Sequence, residues 1–294
     1  MKLFIRILFI IFCCLSCVSC GNTQSAIENK STISTSIPPI KYLLERITEN
    51  DFNINVIVPN GTSPETYSMT QRQAMELENS QMVFITGALE LENQITKTAT
   101  TKTTIINISN NIDFITGHHH HHHHHHDNSA HEQHLHGVDP HIWLSTAELS
   151  IMTRNICTAM MEQYPDSVKY MVNSEKLLEE LCRLHTNIKK QIEQANTEAF
   201  VIYHPALSYY AREFGLEQIA IEDEGKEPNV GKLNEVIKHA KSHKINKILY
   251  QNEFPADIAK IIAEDINAET VSINPLSDNI LEEIQVITNV ITSR

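Results

Sequence analysis

The amino-acid sequence predicts an α/β protein built as two parallel-sheet α/β lobes joined by a long rigid backbone helix. Two observations carry that expectation. Short β-branched runs alternate with helix-length amphipathic segments in two successive rounds, and alternation of this kind builds parallel sheets covered by helices. Between the rounds, residues 166–195 contain neither Gly nor Pro and repeat apolar residues at helical spacing.

In the first round the strands fall at residues 31–36, 53–58, 82–86 and 103–108. Pro38 opens the first helix, at a position where its missing N–H costs nothing. Further helices cover residues 71–79 and 89–100. The second round places strands at 199–203, 216–221, 247–251 and 269–273, with helices near 206–214, 232–242, 256–265 and 277–291. The amino-terminal lobe is therefore expected over residues 31–165 and the carboxyl-terminal lobe over 196–294.

The segment 166–195 carries Val168, Met171, Val172, Leu178, Leu181, Ile188 and Ile192 in one stripe. As a single helix it spans about 45 Å. A coiled-coil dimer is the rival reading, but the stripe covers few heptads and is interrupted by Glu175 and His185. Packing against the chain's own lobes is the expectation, with the protein working as a monomer.

The first residues set the compartment. Lys2 and Arg6 precede an apolar run too short to span a bilayer, which reads as a signal peptide over residues 1–19. In Cys17-Val18-Ser19-Cys20-Gly21-Asn22, small residues precede a cysteine as at a bacterial lipoprotein processing site. Cys20 is the expected lipidation site, with Cys17 a rival, and each methylene buried in the membrane contributes about 0.8 kcal/mol. Residues 20–30 would then form a lipidated, polar tether, and the protein is exported and membrane-anchored. Of the 6 cysteines only Cys157 and Cys182 lie beyond this region, in helical patterns, and they read as small buried hydrophobes more than as a bridge. A net charge of −13 without a basic patch argues against nucleic-acid binding.

Gly117 is followed by His118, His119, His120, His121, His122, His123, His124, His125 and His126, and then by His131, His134 and His136. Neutral imidazole is the commonest nitrogen ligand for zinc and its neighbours, so the loop 117–136 offers many interchangeable auxiliary sites of modest affinity. An expression tag would sit at a terminus, whereas this run is internal and grades into Asp127 and Glu132. A loop of this composition says metal without locating an ordered site.

The ordered site is sought where open parallel sheets bind ligands, outside the carboxyl ends of their strands, and hence in the cleft between the lobes. Three segments supply donors there. Val138-Asp139-Pro140-His141-Ile142-Trp143-Leu144-Ser145 brings His141 beside the chain's only tryptophan, with Asp139 and Ser145 as helix caps or groups that orient the imidazole. Tyr203-His204-Pro205-Ala206 places His204 at a strand end, with Pro205 turning the chain and starting a helix. Pro59-Asn60-Gly61-Thr62-Ser63-Pro64-Glu65 carries the Glu65 carboxylate on a turn-rich loop, where a solvated surface glutamate is an equal reading. The acidic run Glu222-Asp223-Glu224 reads better as a solvated strand-end loop than as part of a site.

With Gly61-Thr62-Ser63-Pro64-Glu65-Thr66-Tyr67, Asp139-Pro140-His141-Ile142-Trp143-Leu144, Tyr203-His204-Pro205-Ala206 and Gly225-Lys226-Glu227-Pro228 in this order and spacing, the chain resembles the zinc/manganese solute-binding proteins of ABC transporters. The resemblance implies two lobes holding one metal between them and delivery of that metal to a membrane permease. It also implies zinc as the ion, because the zinc branch has histidine at the position of His204, where manganese binders tend to have glutamate.

The sequence departs from the family pattern twice. Zinc members usually carry histidine where this chain has Glu65, and the family often has aspartate where this chain has Asn274. Carboxylate remains a competent zinc ligand, but two histidines and one carboxylate also suit manganese or iron(II). The fourth position is open to water, to the Asn274 oxygen, or to a loop side chain.

An exported metalloenzyme with the same three groups is the competitor from another class. No His-Glu-x-x-His, Gly-x-Ser-x-Gly or base partner supports it. A surface-adhesin role has no independent support in the residues. The expected protein is a capture protein for zinc and not an enzyme.

Overall fold

A computed structural model describes residues 30–116, 137–222, 228–254 and 256–293. The signal peptide, Cys20, the tether up to residue 29, the whole histidine-rich loop 117–136 and the Gly225-Lys226-Glu227 motif lie outside the described residues.

The first lobe runs β1 (Thr32–Thr35), α1 (Pro38–Thr48), β2 (Asn53–Val56), α2 (Gln71–Glu78), β3 (Met82–Ile85), α3 (Leu91–Thr98) and β4 (Thr104–Asn107). Its four strands are parallel in the order β2-β1-β3-β4, with Ile33 of β1 opposite Ile54 on one side and Met82 on the other. Helix α1 begins at Pro38 and buries Ile40, Leu43, Leu44 and Ile47. At about 1.5–3 kcal/mol for each fully buried side chain, that face holds the helix on the sheet. Helix α2 starts with a reciprocal cap, Thr70 accepting from the Gln73 amide while Gln73 reaches back to Thr70. Gly87 (φ +72°) turns the chain after β3, and a Cβ there would meet Asn107 Nδ2 at 2.6 Å.

The second lobe repeats the plan: β5 (Ala199–Ile202), α6 (Ser208–Phe214), β6 (Glu217–Ala220), α7 (Val230–Ser242), β7 (Lys247–Gln251), α8 (Asp257–Ile266), β8 (Glu269–Ile273) and α9 (Ile280–Thr292). Its strands are also all parallel, in the order β6-β5-β7-β8. The strands and helices expected from alternation are thus present, with ends shifted by a few residues in either direction.

Between the lobes stand a one-turn 3-10 helix (Ile142–Leu144), helix α4 (Thr146–Gln163) and the long α5 (Val168–Ala195). Ser145 caps α4 by accepting from the Glu148 amide. Helix α5 packs on α1, α4 and α9, touching both lobes, and closes at Asn196 in a left-handed conformation. One continuous core joins Ile33, Phe84 and Trp143 to Phe200, Tyr210, Ile273 and Ile284, so the lobes share their inner packing. A separate cluster of Val201, Ile219, Ile248 and Ile262 fills the outer side of the second sheet. Among the described residues no helix is long and apolar enough to cross a membrane.

Three expectations are corrected. The amino-terminal end of the α5 stripe is not buried: Val168, Met171 and Val172 are exposed, and Tyr170, Asn173 and Ser174 face inward instead. The contact with the first lobe is made by a polar edge there, through Tyr170 to Asp51 and Asn173 to the Ile47 carbonyl. Cys182 is exposed rather than buried, because its neighbour Leu181 takes the inward position, and Cys157 and Cys182 are both free thiols. Pro205 does not start α6. A tight turn, in which the Ala206 amide donates to the His204 carbonyl, separates it from the first helical bond, Ala211 to Leu207.

Candidate metal centre

All strands of a parallel sheet point one way, so their carboxyl ends share one edge, and the candidate residues lie beyond such ends. Glu65 follows β2, His141 follows β4, His204 follows β5, and Asn274 follows β8. The structure brings three of the four together. One ligand atom each from Glu65, His141 and His204 lie within 4.8 Å of one another. Glu65 Oε1 is 3.7 Å from His141 Nε2 and 3.5 Å from His204 Nε2, and the imidazole centroids are 5.2 Å apart.

Both histidines are buried, and each is held by its other nitrogen. His141 Nδ1 and the His141 amide both meet Asp139 Oδ1, at 2.8 and 2.9 Å. Burial opposes ionisation of Asp139, but the charge and hydrogen bonds of His141, with a further bond from the Ser208 hydroxyl, outweigh it and hold the carboxyl below its ordinary range. With Nδ1 against Asp139, the nitrogen turned toward Glu65 is Nε2. Trp143 packs beside His141 and donates its indole N–H to the Pro275 carbonyl at 2.9 Å, tying this segment to the loop after β8.

His204 Nδ1 makes a short hydrogen bond to Glu222 Oε2. Gln251 clamps the backbone, accepting from the His204 amide at 3.3 Å and donating to its carbonyl at 2.6 Å, while Phe254 stacks on the ring at 5.2 Å. Burial alone would lower the His204 pKa, but hydrogen bonds and charge from Glu222 and Glu65 raise it to about 10. Without a metal, the ring carries a proton between two carboxylates.

Glu222 corrects the sequence reading. Its side chain is 10 % exposed and anchors His204, so it is not a solvated loop residue. Register carried the missed signal. The Glu222 amide donates to the Tyr203 carbonyl, so the residue just past β6 must lie beside the residue just past β5. Glu253, just past β7, was also missed. Burial raises its carboxyl pKa, His141 and His204 pull it down, and Glu65 pushes it up, so it lies within the field of the same cluster.

Asn274 is held by its backbone amide, which donates to Glu283 at 2.7 Å. Its Oδ1 is buried and has no hydrogen-bond partner among the described residues. An unsatisfied buried acceptor costs about 1–3 kcal/mol. The donor set of two imidazole nitrogens and one carboxylate fits a borderline divalent cation.

Two facing parallel-sheet lobes, a bridging helix and a buried nitrogen–oxygen donor set between them define a two-lobed binding protein of the periplasmic type. Residues 33–291 match the ZnuA family, described as zinc-uptake complex component A, periplasmic, and the chain belongs to that family. It is 25% identical over 289 residues to the high-affinity zinc uptake system protein ZnuA of Bacillus subtilis, covering 94% of this chain and 90% of that one. The zinc-binding lipoprotein AdcA of Streptococcus pneumoniae is 24% identical over 284 residues, which are 95% of this chain and 56% of AdcA, so the chain spans about half the length of that relative. A crystal structure of a ZnuA deletion mutant with zinc bound superimposes with a TM-score of 0.79 at 25% identity, covering 90% of this chain and 97% of that one. A manganese-bound periplasmic metal-binding protein from Candidatus Liberibacter asiaticus shares the fold, with a TM-score of 0.72 at 21% identity over 89% of this chain and 100% of that one.

Proposed function

We infer that the chain captures zinc outside the cytoplasm and delivers it to the permease of an ABC transporter, as a binding protein and not as a catalyst. The observation that carries this reading is the meeting of Glu65, His141 and His204 at the carboxyl ends of strands from both lobes. Each imidazole is fixed by a carboxylate on its far nitrogen and offers its near one, the arrangement that orients histidine ligands in zinc sites. Glu65, His141 and His204 are the ligands, and the buried, unpartnered Asn274 oxygen is the weak fourth group. Zinc is the cargo, since the family and the relatives named above are zinc-uptake and zinc-binding proteins. Release follows a small separation of the lobes, because no single lobe supplies a complete set of ligands.

The histidines of residues 117–136 act as a local collector of zinc or as a sensor of its excess. The protein is exported as a monomer and held at the membrane through a lipid on Cys20. A second reading, manganese or iron(II) as cargo, is favoured by one observation: a carboxylate, Glu65, stands between the two imidazoles.

Competitive titration of the lipid-free protein with zinc, manganese and iron(II) tests the reading. One tight zinc equivalent should survive deletion of residues 117–136 and disappear in His204→Ala. Loss of all tight binding with the loop would overturn the cleft site. A tight equivalent that prefers manganese or iron(II) would transfer the role to the second reading.

A further inference from the structure

The two imidazoles of the cleft are both braced by the second lobe. His141 follows β4 of the first sheet, yet its supports lie across the cleft. Asp139, which holds His141 Nδ1, accepts from the Ser208 hydroxyl, and its carbonyl accepts from the Tyr209 hydroxyl at 2.7 Å. Both residues open α6. Ile115, whose carbonyl receives the Asp139 amide, donates its own amide to the same Tyr209 oxygen at 3.1 Å. Trp143 donates to the Pro275 carbonyl, and beyond it Ser145 and the Thr146 amide donate to Glu213 of α6 at 2.8 and 2.9 Å. His204 follows β5 of that lobe, so the two rings share one frame.

Glu65 is held differently. Its side chain is 27% exposed, against 7% for each histidine. It sits on the loop 59–66, which carries Pro59, Pro64 and Gly61 at φ +77°. Both ends of that loop belong to the first lobe. The Val58 amide donates to the Ser36 carbonyl at 2.9 Å, and the Tyr67 hydroxyl donates to Gln73 at 2.9 Å. Between those ends Asn60 Nδ2 crosses to the second lobe and donates to Asp278 Oδ2 at 2.8 Å. Asp278 stands in the turn between β8 and α9, the turn whose Pro275 carbonyl receives Trp143. The Glu65 loop and the His141 segment are thus tied to one turn. The Asn60–Asp278 bond is exposed, where water competes for both partners, so it opens more readily than the buried bonds behind the rings.

We propose that Glu65 is the ligand that leaves first when the cleft gives up its metal, and that the Asn60–Asp278 hydrogen bond is the positioning contact that sets how long it stays. The proposal rests on the reading of Glu65, His141 and His204 as the ligands. Separation of the lobes draws the loop 59–66 away while both rings stay with the second lobe. The metal then keeps two nitrogen ligands and gains open positions for an exchange partner.

The test is the rate at which the lipid-free protein, loaded with one equivalent of zinc, yields it to excess chelator. Asn60→Ala and Asp278→Ala should each speed exit by about three- to tenfold. The double variant should be no faster than either single one, and Asn60→Asp combined with Asp278→Asn should return to the wild-type rate. In a Glu65→Ala background the same substitutions should change nothing, because the contact acts through that carboxylate. Wild-type rates in the single variants would overturn the proposal. So would an undiminished effect in the Glu65→Ala background, which would mark a contact that steadies the lobes and not the ligand. If zinc leaves His204→Ala as slowly as the wild type, the cleft reading itself fails and takes the proposal with it.

Discussion

Glu65 Oε1 stands 3.5 Å from His204 Nε2, so a carboxylate of the first lobe faces a buried imidazole of the second across the cleft. The same oxygen faces His141 at 3.7 Å. One atom therefore faces both histidines, and in the proposed site the selectivity would turn on it.

Replacing that carboxylate should change selectivity before it changes the fold. Glu65→His is expected to raise the preference for zinc over manganese by about tenfold, since imidazole favours zinc and carboxylate suits harder cations. The ratio of the two dissociation constants by competition with a chelator checks it. An unchanged ratio would show that Glu65 is not a ligand.

In the proposed site Glu222 would act on the metal through His204, whose Nδ1 it holds. Glu222→Gln keeps the shape but loses the charge that orients the ring, and zinc affinity should fall by about 10- to 100-fold. Isothermal titration of the variant, alongside circular dichroism to show an intact fold, separates this from unfolding. Wild-type affinity in a folded variant would refute the orienting role.

The pH dependence follows from His204, whose pKa is raised from 6.5 to about 10. In the metal-free protein, the stability contributed by the protonated ring is fully present below pH 6.5 and lost as pH rises through about 10. As the proposed zinc ligand His204 must be neutral, so binding there would expel this proton. Apparent affinity should climb about tenfold per pH unit from neutrality to about pH 9. Calorimetry in two buffers of different ionisation heat should read release of close to one proton at about pH 8. No proton release there would place the proton elsewhere.

Gly87 tests the backbone of the first lobe. Its φ of +72° strains any L side chain, and a Cβ there would push Asn107 Nδ2, 2.6 Å away, out of its place. Gly87→Ala should destabilise the fold by about 1–3 kcal/mol, seen as a lower urea midpoint with an unchanged slope. A midpoint equal to wild type would mean that the turn relaxes freely.

Much of this protein could be read along the chain. Alternating β-branched and amphipathic segments announced both parallel sheets, and the Gly- and Pro-free segment announced α5, because these patterns are local and periodic. His141 stood out through its motif, and His204 through its motif and its position at a strand end. Tertiary structure alone decided the rest. Glu222 looked like a solvated acid until parallel register set it beside His204, and Glu253 joined the cluster only through the turn after β7. The exposure of Val168, Met171 and Cys182 depended on which neighbours the lobes offered to α5. The tie between Asn60 and Asp278 depended on the loop after β2 meeting the turn before α9. Residue type and periodicity are properties of one segment, whereas burial and the sharing of a carboxylate between rings depend on which segments meet, and only the folded packing sets that.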